Sequence, residues 1–118
     1  MASSAEAWPW PDSLDALIAA PAHHTRLLEN DRVRVVHTHI PSGDLVPVHT
    51  HRFPGVVYVI SASDFVRRDD KGKVLFDSRE AGPTKSSPAV QWLDPLPPHS
   101  VENVGDSEIS LVIVELKS

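Results

Sequence analysis

The sequence contains no cysteine, and this absence removes several classes of function at once. A disulfide framework, a thiolate metal site and a cysteine nucleophile all require the thiol side chain. None of them can be built from this chain. Any metal ion that the protein binds must therefore be held by nitrogen and oxygen ligands.

Positive charge and long hydrophobic runs are also scarce. The 11 Lys and Arg residues stand against 16 Asp and Glu residues, which gives a formal net charge of -5 at pH 7. This balance disfavours a nucleic-acid partner, because binding to phosphate backbones draws on Lys and Arg. The N-terminal segment lacks the basic and apolar regions of a secretory signal, and no apolar run approaches membrane-spanning length. We therefore expect a cytoplasmic protein with neither a membrane nor a nucleic-acid partner.

One compact basic cluster is present, and acidic neighbours surround it. Its members alternate with Asp69 and Asp70, which largely cancel their field. We interpret the cluster as a solvated hairpin tip. The basic residues are Arg67, Arg68, Lys71 and Lys73.

The 118 residues are enough for one domain with a single hydrophobic core. We expect an N-terminal arm over residues 1–23 and a β-rich domain over residues 24–118. The arm carries one helix signal over residues 13–20, with Asp12 or Ser13 as the N-cap and Pro21 as the stop. Trp8 and Trp10 are interpreted as buried anchors of this arm or as part of a dimer contact.

The rest of the chain alternates between short apolar segments and turn residues. Glycine occurs in the predicted turns at residues 70–72 and 105–107, and prolines mark loops at residues 78–88 and 94–98. Many short strands at this spacing predict an all-β sandwich or barrel. The strands are expected near residues 25–28, 33–40, 46–51, 55–61, 64–67, 73–77, 89–93, 99–103 and 108–116.

Three histidines have the spacing of a metal site. His49 and His51 point to the same side of an extended strand, with Cα atoms about 7 Å apart. A third imidazole, from His99 on a distant strand, would complete a set of three nitrogen ligands with open positions for small molecules. The opposing interpretation is a polar barrel interior in which the imidazoles bind one another through water.

These residues resemble the two signature motifs of the cupins, a family of small jelly-roll β-barrels. In the first motif, Gly43, His49 and His51 are kept, whereas Gly55 stands at the glutamate position and Ala62 at the final glycine position. In the second motif, His99 and Asn103 are kept, whereas Asp94 and Leu96 replace a proline and a glycine. The resemblance implies a cupin-like jelly roll with a short N-terminal helix.

The resemblance also implies a divalent metal ion on His49, His51 and His99, without the glutamate that serves typical cupins as an anionic fourth ligand. Fe, Zn, Ni and Mn all remain open, and Asp94 or water could fill the missing position. Asn103 shares the face of His99, whereas Glu102 points away from it. Because histidines bind metals in their neutral form, we expect metal affinity to fall below about pH 6.5.

Four further histidines compete with this assignment. His37 and His39 form a second His-x-His pair, but only His49 has a glycine six positions before it. We interpret His37 and His39 as residues of a sheet face or of the barrel mouth. The adjacent His23 and His24 are expected to be solvent-exposed loop residues.

The sequence leaves the function open between three classes. The first is a mononuclear metal enzyme of dioxygenase type that acts on a small oxygen-bearing or anionic molecule, with no catalytic base assigned. The others are a non-catalytic binding or sensing module and an isomerase-type cupin. Phe53, Tyr58 and Asn103 are the candidate pocket residues, while Phe65, Phe76 and Trp92 are expected in the core. We expect a homodimer, because small cupins often pair through edge strands.

Overall fold

The computed structural model describes residues 9–81 and 89–117 of the chain. Trp8 and most of the predicted loop at residues 78–88 lie outside these residues. Among the helices of the described residues, none is long and apolar enough to cross a membrane.

In the described ranges the chain forms nine strands and only short helical turns. A 3-10 turn at Asp12–Leu14 precedes helix α1 (Ala16–Ala19), and a second 3-10 turn covers Ser78–Ala81. The strands are β1 (His24–Glu29), β2 (Val33–Ile40), β3 (Leu45–His49), β4 (Gly55–Ser61), β5 (Phe65–Asp69), β6 (Val74–Asp77), β7 (Val90–Leu93), β8 (His99–Asn103) and β9 (Ile109–Leu116).

The strands form two antiparallel sheets, which confirms the all-β jelly roll. One sheet has five strands in the order β1-β2-β9-β4-β7, and the other has four in the order β3-β8-β5-β6. The chain crosses between the sheets several times, so residues far apart in sequence share one interior. The buried core cluster consists of Ala20, Ile40, Val46 and Ile109.

Alternation along β2 shows how the sequence assigns one face to the interior. Every second side chain is buried, from Arg34 through Val36 and Thr38 to Ile40. The residues between them point outward, as the two-residue period of a strand requires. Because β2 pairs with β1 and β9, this alternation fixes which side chains of its neighbours face the interior.

The predicted helix at residues 13–20 is wrong as a single continuous element. Asp15 interrupts it with an extended backbone (φ -59°, ψ 139°), and its carboxylate, instead of Asp12 or Ser13, caps the short α1. The interruption has a tertiary cause, because Asp15 lies in a parallel bridge with Thr50. The Ala16 amide donates to the Thr50 carbonyl over 2.9 Å, and the Thr50 amide donates to the Leu14 carbonyl over 2.6 Å.

Candidate metal centre

Four buried histidines meet inside the sandwich. The structure brings together His49, His51 and His99, and it adds His24 as a fourth member. The ring centroid of His49 lies 4.5 Å from that of His99, 5.1 Å from that of His51 and 4.9 Å from that of His24. None of the four residues is more than 5% exposed. We call this group the histidine cluster.

Strand pairing positions each ring of the cluster. His49 at the end of β3 lies directly opposite His99 at the start of β8. His24 begins β1 opposite the inward-facing Thr38 of β2. His51 follows β3, and its predecessor Thr50 is fixed by the bridge to the N-terminal segment. The histidine cluster therefore contains residues from both sheets.

Backbone carbonyls set the tautomer of three of these rings. The Nδ1 atoms of His24, His49 and His99 lie 2.8 to 2.9 Å from the carbonyl oxygens of Ala20, Pro47 and Pro97, respectively. A carbonyl oxygen only accepts hydrogen bonds, so each Nδ1 carries the proton and donates it. Each Nε2 atom is then left with a lone pair, which is the form that binds a metal.

The fourth ring has a carboxylate where the others have carbonyls. His51 Nδ1 lies 3.6 Å from Oε2 of Glu115, which is completely buried. Neither atom has a hydrogen-bond partner among the described residues. A shift of roughly half an ångström would bring the two atoms within hydrogen-bond distance. Carboxylates in this position fix the tautomer and orientation of metal-binding histidines.

A buried ion cluster holds Glu115 in place. Arg34 Nε donates to Glu115 Oε1 over 2.8 Å, and the same guanidinium makes two hydrogen bonds of 2.8 and 3.1 Å to Asp15. Burial by itself lowers the pKa of Arg34, but the hydrogen bonds and charges of Asp15 and Glu115 outweigh it and raise that pKa above its ordinary value. Arg34 therefore stays charged, and its bond to Oε1 leaves Glu115 Oε2 facing His51.

Burial keeps three of the histidines neutral. It lowers the pKa of His24 to about 4, that of His49 to about 2 and that of His99 to about 3. Desolvation disfavours the imidazolium form, and the neighbouring histidines disfavour it further. The expected threshold for metal affinity near pH 6.5 therefore moves to lower pH in the folded protein.

The donor set fits a divalent transition metal. Ligand atoms of His24, His49 and His51 all lie within 4.8 Å of one another. Two imidazole nitrogens on one ion can be at most about 4 Å apart, since each metal–nitrogen bond is about 2.0–2.1 Å long. Small side-chain adjustments would therefore bring these rings onto a common ion. His99 is not part of this group of three, although its ring centroid lies 4.5 Å from that of His49.

The expectation that His24 is a solvent-exposed loop residue is wrong. Strand β1 begins at His24, one residue earlier than the sequence indicates. His23 lies in the turn before the strand and is partly buried, whereas His24 lies in the strand opposite Thr38 and faces the interior. The sequence shows the two adjacent histidines, but it does not show that β1 begins at His24, and this boundary determines that His24 faces the interior.

The structure also explains the missing glutamate. Gly55 pairs with both β7 and β9, and an added Cβ there would collide with the backbone carbonyl of Val114. Asp94 does not replace it, because its side chain is exposed and accepts a hydrogen bond from Trp92 Nε1. Glu102 pairs with Arg68. Among the described residues, no carboxylate lines the cavity beside the histidines.

This cavity has a volume of about 210 Å³. That is below the roughly 300–1,000 Å³ of pockets for drug-sized ligands, so it suits a small molecule. All four rings of the histidine cluster line it. Its apolar walls include Val46, Val57, Val59, Leu111 and Ile113, and its polar lining includes Ser61, Ser63, Arg67 and Gln91.

Arg67 is not part of a solvated hairpin tip. It lies opposite Val101 on β8 and shares the inward face with Phe65, two residues before it. Its guanidinium carbon lies 5.6 Å from the centroid of the Phe65 ring. Phe65 is two residues before Arg67, which indicates that the two side chains share one face of β5. Val66 between them is also buried. Apolar residues therefore occur on both faces of β5, and the sequence does not show which face is the inner one.

The candidate pocket residues lie elsewhere. Tyr58 is 52% exposed on the outer face of its sheet, and Phe53 packs near Arg34, whose guanidinium carbon is 5.7 Å from the ring centroid. Asn103 is fully buried, but its amide donates to the carbonyls of Ile40 and Ser107 and does not line the cavity. Trp92 and Phe76 are exposed, which corrects their assignment to the core.

The second His-x-His pair lies on the outer face of β2. His37 Nε2 is 2.9 Å from the Ser110 hydroxyl, and His39 Nε2 is 2.7 Å from a carboxylate oxygen of Glu108. The two rings stack with centroids 6.2 Å apart. Each Nε2 atom of this pair therefore has a hydrogen-bond partner and needs no metal ion to satisfy it.

Comparison with known proteins identifies the fold. No protein-family model and no curated protein sequence matches the chain. Among solved structures, a cupin domain from Bordetella pertussis is 22% identical with a TM-score of 0.63, covering 80% of this chain and 92% of that one. A protein with a double-stranded β-helix domain from Klebsiella pneumoniae is 18% identical with a TM-score of 0.55, covering 99% and 89%. An RmlC-like cupin from Methanocaldococcus jannaschii is 10% identical with a TM-score of 0.54, covering 80% and 78%. The chain therefore has the cupin fold.

Proposed function

We propose that this chain, which has the cupin fold, is a mononuclear metal protein whose ion is held by His24, His49, His51 and His99. The observation that carries the proposal is the tautomer of the cluster. Three Nδ1 atoms donate to backbone carbonyls, which leaves their Nε2 lone pairs available. Burying these three imidazoles without an ion or water at their Nε2 acceptors would be costly.

The imidazole ligands indicate which divalent metals the site would bind. Imidazole suits iron, zinc, nickel and copper better than it suits manganese. Iron, zinc, nickel and manganese all stay within the proposal, with manganese the weakest binder by the general affinity order of divalent metals. Four neutral ligands leave the full charge of the ion in the cavity, so an anionic ligand is favoured as a further partner.

We propose a metal-dependent oxidoreductase of dioxygenase type that acts on a small oxygen-bearing or anionic molecule. When bound, iron in such a site supplies Lewis acidity toward the organic molecule and electrons to dioxygen. The residues of this chain keep the ligands neutral, orient His51 through Glu115 and surround the reacting molecule with apolar walls. Those walls, such as Val57 and Ile113, exclude water and strengthen the polar contacts inside.

Calorimetric titration of chelator-treated protein with zinc, and anaerobically with ferrous iron, tests the metal site. We expect one ion per chain and an affinity at least about tenfold lower in His24→Ala. His39→Ala is the matched control, since His39 is a histidine on the outer face, and we expect it to bind metal like the wild type. Equal affinities for His24→Ala and the wild type would contradict the four-histidine assignment.

Oxygen consumption by the iron-loaded protein tests the reaction class. Uptake of dioxygen with diketones, thiols or phenols supports the dioxygenase proposal. Tight binding of such molecules without turnover under every metal would instead favour the non-catalytic module. Metal-independent isomerisation would favour the isomerase alternative, for which the histidines are the bases among the described residues that line the cavity.

A homodimer remains our proposal for the assembly. Edge strand β7 carries the exposed Val90 and Trp92, and the adjacent β4 exposes Tyr58 and Ile60 on the same outer face. Burying such a patch against a second copy would remove it from water and cover an open edge. Sedimentation at the mass of a dimer would support the proposal, and sedimentation as a monomer would contradict it.

A further inference from the structure

Arg67 brings a positive charge without a negative partner into the cavity. Its Nε atom is buried and has no hydrogen-bond partner, and no carboxylate of the described residues forms an ion pair with it. The adjacent Arg68, in contrast, points outward and binds Glu102 over 2.9 Å. Burial lowers the pKa of Arg67, as expected for a cation that has lost water without gaining an anion. A buried donor of this kind is costly unless something else binds it.

The guanidinium lies beside the histidine cluster. Arg67 on β5 is directly opposite Val101 on β8, and His99 is two residues from Val101 on the same face. Such diagonal neighbours on a sheet are about 7–8 Å apart at their Cα atoms, within reach of a long side chain. The positive charge of Arg67 is among the causes that lower the pKa of His99. One molecule of a few atoms can therefore contact both Arg67 and the cluster.

The other residues that line the cavity indicate the shape and charge of its ligand. Val57, Leu111 and Ile113 line the cavity with apolar surface, and its volume is about 210 Å³. No carboxylate among the described lining residues balances the guanidinium. The ligand must then supply one negative charge and a small apolar body. A planar carboxylate matches the forked donors of an arginine, and its single charge matches that of one guanidinium.

We propose that the cavity binds a small monocarboxylate, with its carboxylate on the Arg67 guanidinium and its apolar body against the apolar walls beside the histidine cluster. This inference rests on the proposed function, because the same cavity holds the metal. The contact with Arg67 itself needs no ion. Binding of the acid to the metal-free protein therefore tests Arg67 separately from the metal site.

Butyrate and butanamide are the probes, because they have nearly the same shape and differ in charge. Both are titrated into chelator-treated protein and followed by calorimetry and by NMR of the histidine rings. We expect butyrate to bind the wild type at least roughly tenfold more tightly than butanamide, as the loss of a charged hydrogen bond implies. Arg67→Met should lose this preference, whereas the matched control Arg68→Met should keep it.

The outcomes separate the two proposals. If His49→Ala no longer binds zinc but its metal-free form still prefers butyrate, Arg67 acts as the anion site independently of the ion. Equal binding of butyrate and butanamide to the wild type, or no binding of butyrate at all, would overturn the inference. Unchanged butyrate affinity in Arg67→Met would overturn it as well. Should that variant not fold, the comparison of acid and amide in the wild type decides the question.

Discussion

At the scale of single residues, the candidate centre depends on what lies behind each imidazole. His24, His49 and His99 are oriented by neutral carbonyls, whereas His51 faces the charged Glu115. A carboxylate behind a ligand raises the basicity of the imidazole and fixes its tautomer. We therefore propose that Glu115 is a positioning residue that would act on a bound ion through His51.

Replacing Glu115 tests this role. In Glu115→Gln the charge behind His51 is lost while the shape is kept, and we expect zinc affinity to fall roughly 10- to 100-fold. Calorimetric titration with zinc measures the change.

Asp15→Asn is the control for a general loss of stability. It weakens the same ion cluster around Arg34 without touching the pair between Glu115 and His51. We expect a lower melting temperature but an almost unchanged zinc affinity. An equal loss of affinity in both variants would show that Glu115 acts only through stability.

Single residues also show where sequence reasoning reaches its limit. His49, His51 and His99 can be selected from spacing and motif resemblance, because local periodicity and a distant partner are both visible in the sequence. His24 and Arg67 cannot be selected in this way. Their inward direction depends on the start of β1 and on the burial of Val66 on the other face of β5, and both features are set by tertiary packing.

At the scale of elements, strands β3 and β8 share one local arrangement, in which a proline precedes a histidine by two residues. Pro47 precedes His49 by two residues on β3, and Pro97 precedes His99 by two residues at the start of β8. In both cases the histidine Nδ1 donates to the carbonyl of that proline. Proline fixes its own φ angle near -65°, which reduces the backbone conformations open to this segment before folding. The pairing of His49 with His99 then brings the two rings together.

The elements also divide into those that the sequence predicts and those that it does not. Strands β2, β4 and β8 have the predicted bounds, since alternation and flanking turn residues mark them. The N-terminal helix fails because Asp15 binds Arg34 and bridges to Thr50. Those partners lie 19 and 35 residues away in the sequence, where no local pattern reports them.

At the scale of the whole molecule, the buried histidines couple stability to pH. The folded pKa values of His24, His49 and His99 are about 4, 2 and 3, below the 6.5 of an exposed histidine. As pH falls below 6.5, the unfolded chain takes up protons that the folded chain does not. The free energy of unfolding of the metal-free protein should therefore fall, by about 1.4 kcal/mol per pH unit for each fully linked histidine.

Urea unfolding of the metal-free protein between pH 7 and pH 4.5 measures this dependence. His49→Gln removes one of the three linked groups, so its stability should depend less steeply on pH than that of the wild type. A wild-type stability that does not change over this range would contradict neutral, buried histidines.

The proposed metal site has four imidazoles around one ion, and the X-ray absorption spectrum of the zinc-loaded protein tests this most directly. We expect four imidazole nitrogens at about 2.0–2.1 Å from zinc in the wild type, and three in His24→Ala. A wild-type spectrum with fewer than four imidazoles, or one that His24→Ala leaves unchanged, would contradict the account.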